Sequence, residues 1–164
     1  MTDHSHPLAI GGCACGAVRY EVAGDPMIVH CCHCTDCQRE TGSAFVINAV
    51  IEADRVTVTQ GAPDLAATPS ASGKGQEIAR CPECRVVLWS HYGTAGRKAA
   101  FVRVGTLDAP GAWPPDVHIF TRSKLPWVSV PDGARAFEAF YPDPAAVWPP
   151  ESRARWAALT ARPG

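Results

Sequence analysis

Apolar and polar residues alternate over short runs, and the runs are broken by glycine and proline. Val18, Tyr20 and Val22 alternate with Arg19 and Glu21, the period of two expected of a strand with one buried face. Gly24-Asp25-Pro26 then predicts a turn, and Met27 to His30 a short apolar run. Phe45 to Ile51 is apolar on both faces apart from Asn48, as in a strand covered on both sides. Arg55 to Gln60 alternates through Val56 and Val58. Further strands are predicted over Glu77 to Arg80, Val86 to His91, Ala99 to Val104 and Val117 to Thr121. The small and turn-forming residues of Gly61 to Gly75 and Gly105 to Pro115 predict loops.

Helix signals are few, and fifteen prolines argue for many turns. Thr35 to Glu40 can make one helical turn, ended by Gly42. Glu151 to Ala161 predicts a helix that carries Trp156 and Leu159 three positions apart and is preceded by prolines. The expected organisation is a flexible tail over residues 1–10, one β domain over 11–147, and a C-terminal tail with a short peripheral helix over 148–164.

Fifteen Lys and Arg against sixteen Asp and Glu leave a net charge of −1, so no basic field invites nucleic acid. No apolar run approaches the roughly 18 residues of a membrane span, and MTDHSHPLAIGGC lacks a basic segment followed by an apolar one. The expectation is a soluble cytoplasmic protein with neither nucleic-acid nor membrane partners, in a compartment that keeps thiols reduced.

Thiols change the picture most. Eight cysteines occur as Cys13-x-Cys15, Cys31-Cys32-x-Cys34-x2-Cys37 and Cys81-x2-Cys84. Residues one apart do not readily meet disulfide geometry, whereas short pairs converge well on one cation. Cys13, Cys15, Cys81 and Cys84 supply four ligands for a closed zinc site. Cys32, Cys34 and Cys37 supply three and leave a fourth position open, as a catalytic zinc requires. Adjacent side chains in an extended segment point to opposite faces, so Cys31 reads as a buried free thiol. A disulfide framework suits a shorter secreted chain better, and no βαβ pattern surrounds Cys81-x2-Cys84 to favour a redox dithiol.

These motifs resemble a known family. Gly12-Cys13-x-Cys15-Gly16-x-Val18-x-Tyr20, Cys32-His33-Cys34-x2-Cys37-Gln38-Arg39-x2-Gly42-Ser43, Cys81-Pro82-x-Cys84, Gly105-Thr106-Leu107-Asp108 and His118-Ile119-Phe120 are similar to the glutathione-dependent formaldehyde-activating enzymes, a family also named for its centromere protein V relatives. The resemblance implies an all-β fold of mainly antiparallel sheets with two zinc ions. It implies a structural zinc on Cys13, Cys15, Cys81 and Cys84 and a catalytic zinc on Cys32, Cys34 and Cys37. The activity implied is a carbon–sulfur lyase reaction interconverting S-(hydroxymethyl)glutathione with formaldehyde and glutathione. A zinc-stabilised binding module without catalysis is the alternative.

The chain departs from the family where Arg85-Val86 follows the last cysteine, a place where Gly-Thr is common; glycine accepts a positive φ there and arginine resists it. A glutathione site should present cations to two carboxylates, and Arg39, Arg122 and Lys124 are candidates by position. His33 is expected to point away from the metal and support its ligands. His118 is expected in the core, and Trp89, Trp113 and Trp127 in packing rather than in substrate stacking.

Overall fold

Two antiparallel sheets, built from eleven strands, dominate the computed structural model, which describes residues 8–70 and 72–163. The small sheet contains β1 (Leu8–Gly12), β2 (Arg19–Ala23) and β5 (Val56–Gln60), in the order β1-β2-β5. The large one contains β3 (Ile28–Cys32), β4 (Val46–Glu52), β6 (Asp64–Thr68), β7 (Gln76–Arg80), β8 (Val87–Tyr92), β9 (Gly96–Arg103), β10 (Val117–Ile119) and β11 (Arg135–Ala136). Its order is β11-β10-β3-β4-β9-β8-β7-β6. Only β10 breaks the antiparallel rule, running parallel to both β3 and β11. The expected all-β class with mainly antiparallel sheets is what forms.

The large sheet is covered on both faces, as the apolar run of β4 requires. On one side Val18, Tyr20 and Val22 from the small-sheet layer meet Ala49, Ile51, Trp89, Ala100 and Val102. On the other, Ile28, Val50 and Ala99 lie under Cys37, Tyr141, Val147, Trp148 and Leu159. Backbones approach closely where the N-terminal and Gly105-Thr106-Leu107-Asp108 motifs meet. A Cβ on Gly11 would stand 2.7 Å from the Thr106 carbonyl oxygen and from the Tyr20 ring. Tyr20 Oη and Thr106 Oγ1 share a 2.6 Å hydrogen bond at the same place.

Three segments differ from their sequence expectation. β6 lies within the predicted Gly61–Gly75 loop; Leu65 is exposed, so backbone pairing with β7 forms the strand without a hydrophobic alternation to announce it. β1 begins at Leu8, inside the segment expected as a tail, whose residues 1–7 lie outside the described residues. Trp127 is 74% exposed, while Trp89 and Trp113 are buried as expected.

The C-terminal helix α2 (Pro150–Thr160) is docked on the domain. Leu159 is buried in the second core, and Arg155 grips Glu52 at the end of β4 through hydrogen bonds of 2.9 and 2.5 Å. Trp148 and Trp156 meet edge to face, and Tyr141 Oη receives the Trp148 indole N–H while contacting His30 Nε2 at 2.8 Å. Among the described residues no helix is long and apolar enough to cross a membrane.

Candidate functional site

Cys13, Cys15, Cys81 and Cys84 converge from two tight turns, one after β1 and one between β7 and β8. Their sulfurs all lie within 4.8 Å of one another. In the first turn, the Val18 amide donates to Cys13 Sγ at 3.3 Å and Gly16 takes a φ of +78°. In the second, the Cys81 amide donates to the Val86 carbonyl and the Arg85 amide to the Cys81 carbonyl. Arg85 is left-handed, with φ at +65°, and this turns the chain back so that the Val86 carbonyl meets the Cys81 amide. The arginine therefore keeps the glycine-type turn at the cost of backbone strain.

The donor set fits zinc. A tetrahedron with Zn–S of about 2.3 Å has S···S edges of about 3.8 Å, and Cys13–Cys15 and Cys15–Cys81 stand 3.6 and 3.7 Å apart. Those separations exceed any S–S bond, and all eight cysteines are free thiols. The placement of Cys81 and Cys84 in a four-thiol set also argues against a redox dithiol. The Val86 and Cys15 amides pull the Cys84 thiol down to about 6.

Cys32, Cys34 and Cys37 form a second convergence at the end of β3 and the start of α1 (Thr35–Thr41). Cys34 is the N-cap, its sulfur accepting from the Cys37 amide at 3.3 Å, and Gly42 ends the helix in the left-handed conformation with φ at +63°. Cys32 and Cys37 are buried and Cys34 partly exposed. The three sulfurs compete for protons. Contacts with Cys32 and Cys37 hold the Cys34 thiol down at about 2, while Cys34 and burial push Cys32 up to about 12 against a lowering contact from Cys37, and Cys37 is raised further. One thiolate is favoured at the expense of the other two, a conflict that a bound dication removes.

Surrounding residues fix this cluster. Gln38 Nε2 donates at 2.9 Å both to the His33 carbonyl and to the Ser123 carbonyl, tying α1 to the Thr121–Ser123 turn. Glu40 on α1 is ion-paired with Arg103 on β9, which also bonds Asn48 on β4. Burial pushes the Tyr92 phenol up, and thiolates at Cys37 and Cys34 push it further, which marks Tyr92 as a neighbour of the cluster. Sequence reading missed this brace because its members sit on four separate elements. The alternation of Asn48 against apolar neighbours was its only sign.

Of the candidate cations, Arg39 and Arg122 are exposed, and neither has an ion pair among the described residues. Lys124 is committed elsewhere: its ammonium donates to the Val128 and Leu125 carbonyls at 2.6 and 3.2 Å. His33 is fully buried, and its ring faces Cys31 and His118, away from the three-sulfur cluster. His118 is partly buried on β10 and contacts His33 at 3.0 Å, so it is not a plain core residue.

A protein of Rhodobacter sphaeroides with a known crystal structure is 23% identical over 60% of this chain and 87% of its own, with a TM-score of 0.47. The glutathione-dependent formaldehyde-activating enzyme family matches residues 8–123, a span that includes both sulfur clusters and the His118 strand. With well over half its length matched and the motif cysteines converged, the chain belongs to the glutathione-dependent formaldehyde-activating enzyme family.

Proposed function

We propose that the protein is a zinc-dependent carbon–sulfur lyase that interconverts S-(hydroxymethyl)glutathione, or a related thiol adduct of a small aldehyde, with the free thiol and the aldehyde. The observation that carries this reading is the convergence of Cys32, Cys34 and Cys37, with Cys34 partly exposed, in a chain of this family. In this reading Cys13, Cys15, Cys81 and Cys84 hold a structural zinc, and Cys32, Cys34 and Cys37 hold a catalytic one, giving two ions per chain. Zinc, when bound, favours thiolate over thiol and offers a fourth coordination position beyond three protein ligands.

In the synthetic direction the thiol sulfur bonds to the aldehyde carbon, the carbonyl π bond breaks, and the thiol proton ends on the new hydroxyl. Nothing is oxidised or reduced. The chain's own contribution is position. Gln38 holds the His33 carbonyl, and the His33 amide donates to the Ile119 carbonyl at 3.0 Å, so the backbone between Cys32 and Cys34 is pinned on both sides. Arg39 and Arg122, on elements joined by Gln38, are suited to the glutathione carboxylates. A reducing compartment such as the cytoplasm would keep these thiols available.

The test is the rate of approach to the formaldehyde–glutathione adduct equilibrium, followed by NMR exchange. Zinc-loaded protein should exceed the spontaneous rate and Cys34→Ser should not. Equal rates with and without wild-type protein reject the reading. Arg39→Ala with Arg122→Ala should raise KM for glutathione more than for a thiol lacking carboxylates.

A further inference from the structure

Chain alternation divides Cys31-Cys32-His33-Cys34 between two sides. Cys32 and Cys34 join Cys37, whereas Cys31 and His33 converge on the other side with His118. The parallel pairing of β10 with β3 sets His118 in register with Cys31, which delivers the second imidazole. Cys31 Sγ stands 3.6 Å from His33 Nε2, and His33 Nε2 stands 3.0 Å from His118 Nδ1. Cys31 and His33 are 1% and 0% exposed.

Two observations favour a cation here over hydrogen bonds alone. With M–S of about 2.3 Å and M–N of about 2.05 Å, the ligand edges of a tetrahedral zinc-type site are about 3.6 Å for S···N and about 3.3 Å for N···N. The first agrees with the structure and the second lies within a few tenths of an ångström. Further, a neutral imidazole nitrogen carries either one proton or one lone pair, yet His33 Nε2 faces two other polar atoms. A cation uses the lone pairs of all three.

We propose that Cys31 Sγ, His33 Nε2 and His118 Nδ1 form a further metal site for a divalent cation of the zinc class, separate from both sulfur-only clusters. This goes beyond the lyase reading and does not depend on it. One thiolate with a dication carries a formal +1, against −1 for a dication on the three thiolates of Cys32, Cys34 and Cys37. The interleaved sites therefore attract each other across a single strand.

The test is metal counting on the full chain, loaded with excess Zn²⁺ or Co²⁺ and freed of unbound ion. Three equivalents per chain are expected in the wild type and two in Cys31→Ala, His118→Phe and Cys34→Ser. The cobalt-loaded wild type should give hyperfine-shifted, exchangeable imidazole N–H lines in its proton NMR spectrum, diminished in His118→Phe. Two equivalents in folded wild type overturn the proposal, as does a third equivalent that survives Cys31→Ala. If a variant does not fold, the wild-type count and imidazole lines decide alone. Neither readout involves turnover, so an inactive protein with three ions would refute the lyase reading and leave this site standing.

Discussion

Removing one partner of the Glu40–Arg103 pair should unsettle both the domain and the three-cysteine cluster. The side chain of Arg103 is 7% exposed and that of Glu40 13% exposed. Losing one partner of a buried ion pair costs about 3–5 kcal/mol, since the other charge stays desolvated. Glu40→Gln should sit in the lower half of that range, because Arg103 keeps its bond to Asn48 while its Nε already lacks a partner. Arg103→Met should be comparable, since Glu40 then retains only a 3.4 Å contact from Gln76. Replacing both, as Glu40→Leu with Arg103→Met, removes both desolvated charges and should cost about 1 kcal/mol or less. The coupling, the summed cost of the singles less that of the double, is then about 5 kcal/mol or more, within reach of urea unfolding of zinc-loaded protein. Each single variant should melt about 6–16 °C lower at roughly 2–4 °C per kcal/mol for a domain of this size. Because Glu40 lies three residues from Cys37 on α1, the singles should also lose the metal of that cluster more readily to a chelator. A double variant whose cost equals the sum of the singles would refute the coupling.

Arg85→Gly should raise stability by roughly 0.5 kcal/mol, since relief of a left-handed arginine, about 1–2 kcal/mol, exceeds the added chain entropy and the loss of the exposed Asp64 contact. Arg85→Val should lower stability, and melts that rank valine above glycine would sink the strain argument. Cys84→Ser should destabilise the whole domain, as structural zinc is linked to folding by on the order of 10 kcal/mol; Cys34→Ser should instead lose one metal and leave the melt nearly unchanged. Burial raises the Glu52 carboxyl, but its Arg155 hydrogen bonds and charge outweigh that and hold it below the usual range. Its contribution to docking α2 is therefore complete above the unfolded value near pH 4.3 and lost as pH falls through the lower folded value. Trp148 and Trp156 fluorescence should report that acid loosening, and Glu52→Gln should abolish its pH dependence while starting from a looser helix.

Composition, alternation and thiol spacing were enough for the strand-rich class, the α1 knuckle with its Gly42 end, and the division of seven cysteines into four and three. These are local matters: a period of two, a left-handed stop and the reach of neighbouring thiols each involve a few consecutive residues. Even the conflict at Arg85 was legible, because only a turn needing positive φ makes an arginine there unusual.

Pairing partners were not legible. β6 carries no apolar stripe, so only the β7 edge beside it makes it a strand. Arg103 looks like any surface arginine until β9 lies against β4 and α1 closes over it, leaving Glu40 and Asn48 as its neighbours. The Cys31–His33–His118 convergence is half local: alternation places the first two on one side, but His118 arrives only through the parallel β10–β3 register. The sequence thus determined which groups are present that could hold a metal, and the tertiary structure decided which of them meet, because distance along the chain carries no information about register across a sheet.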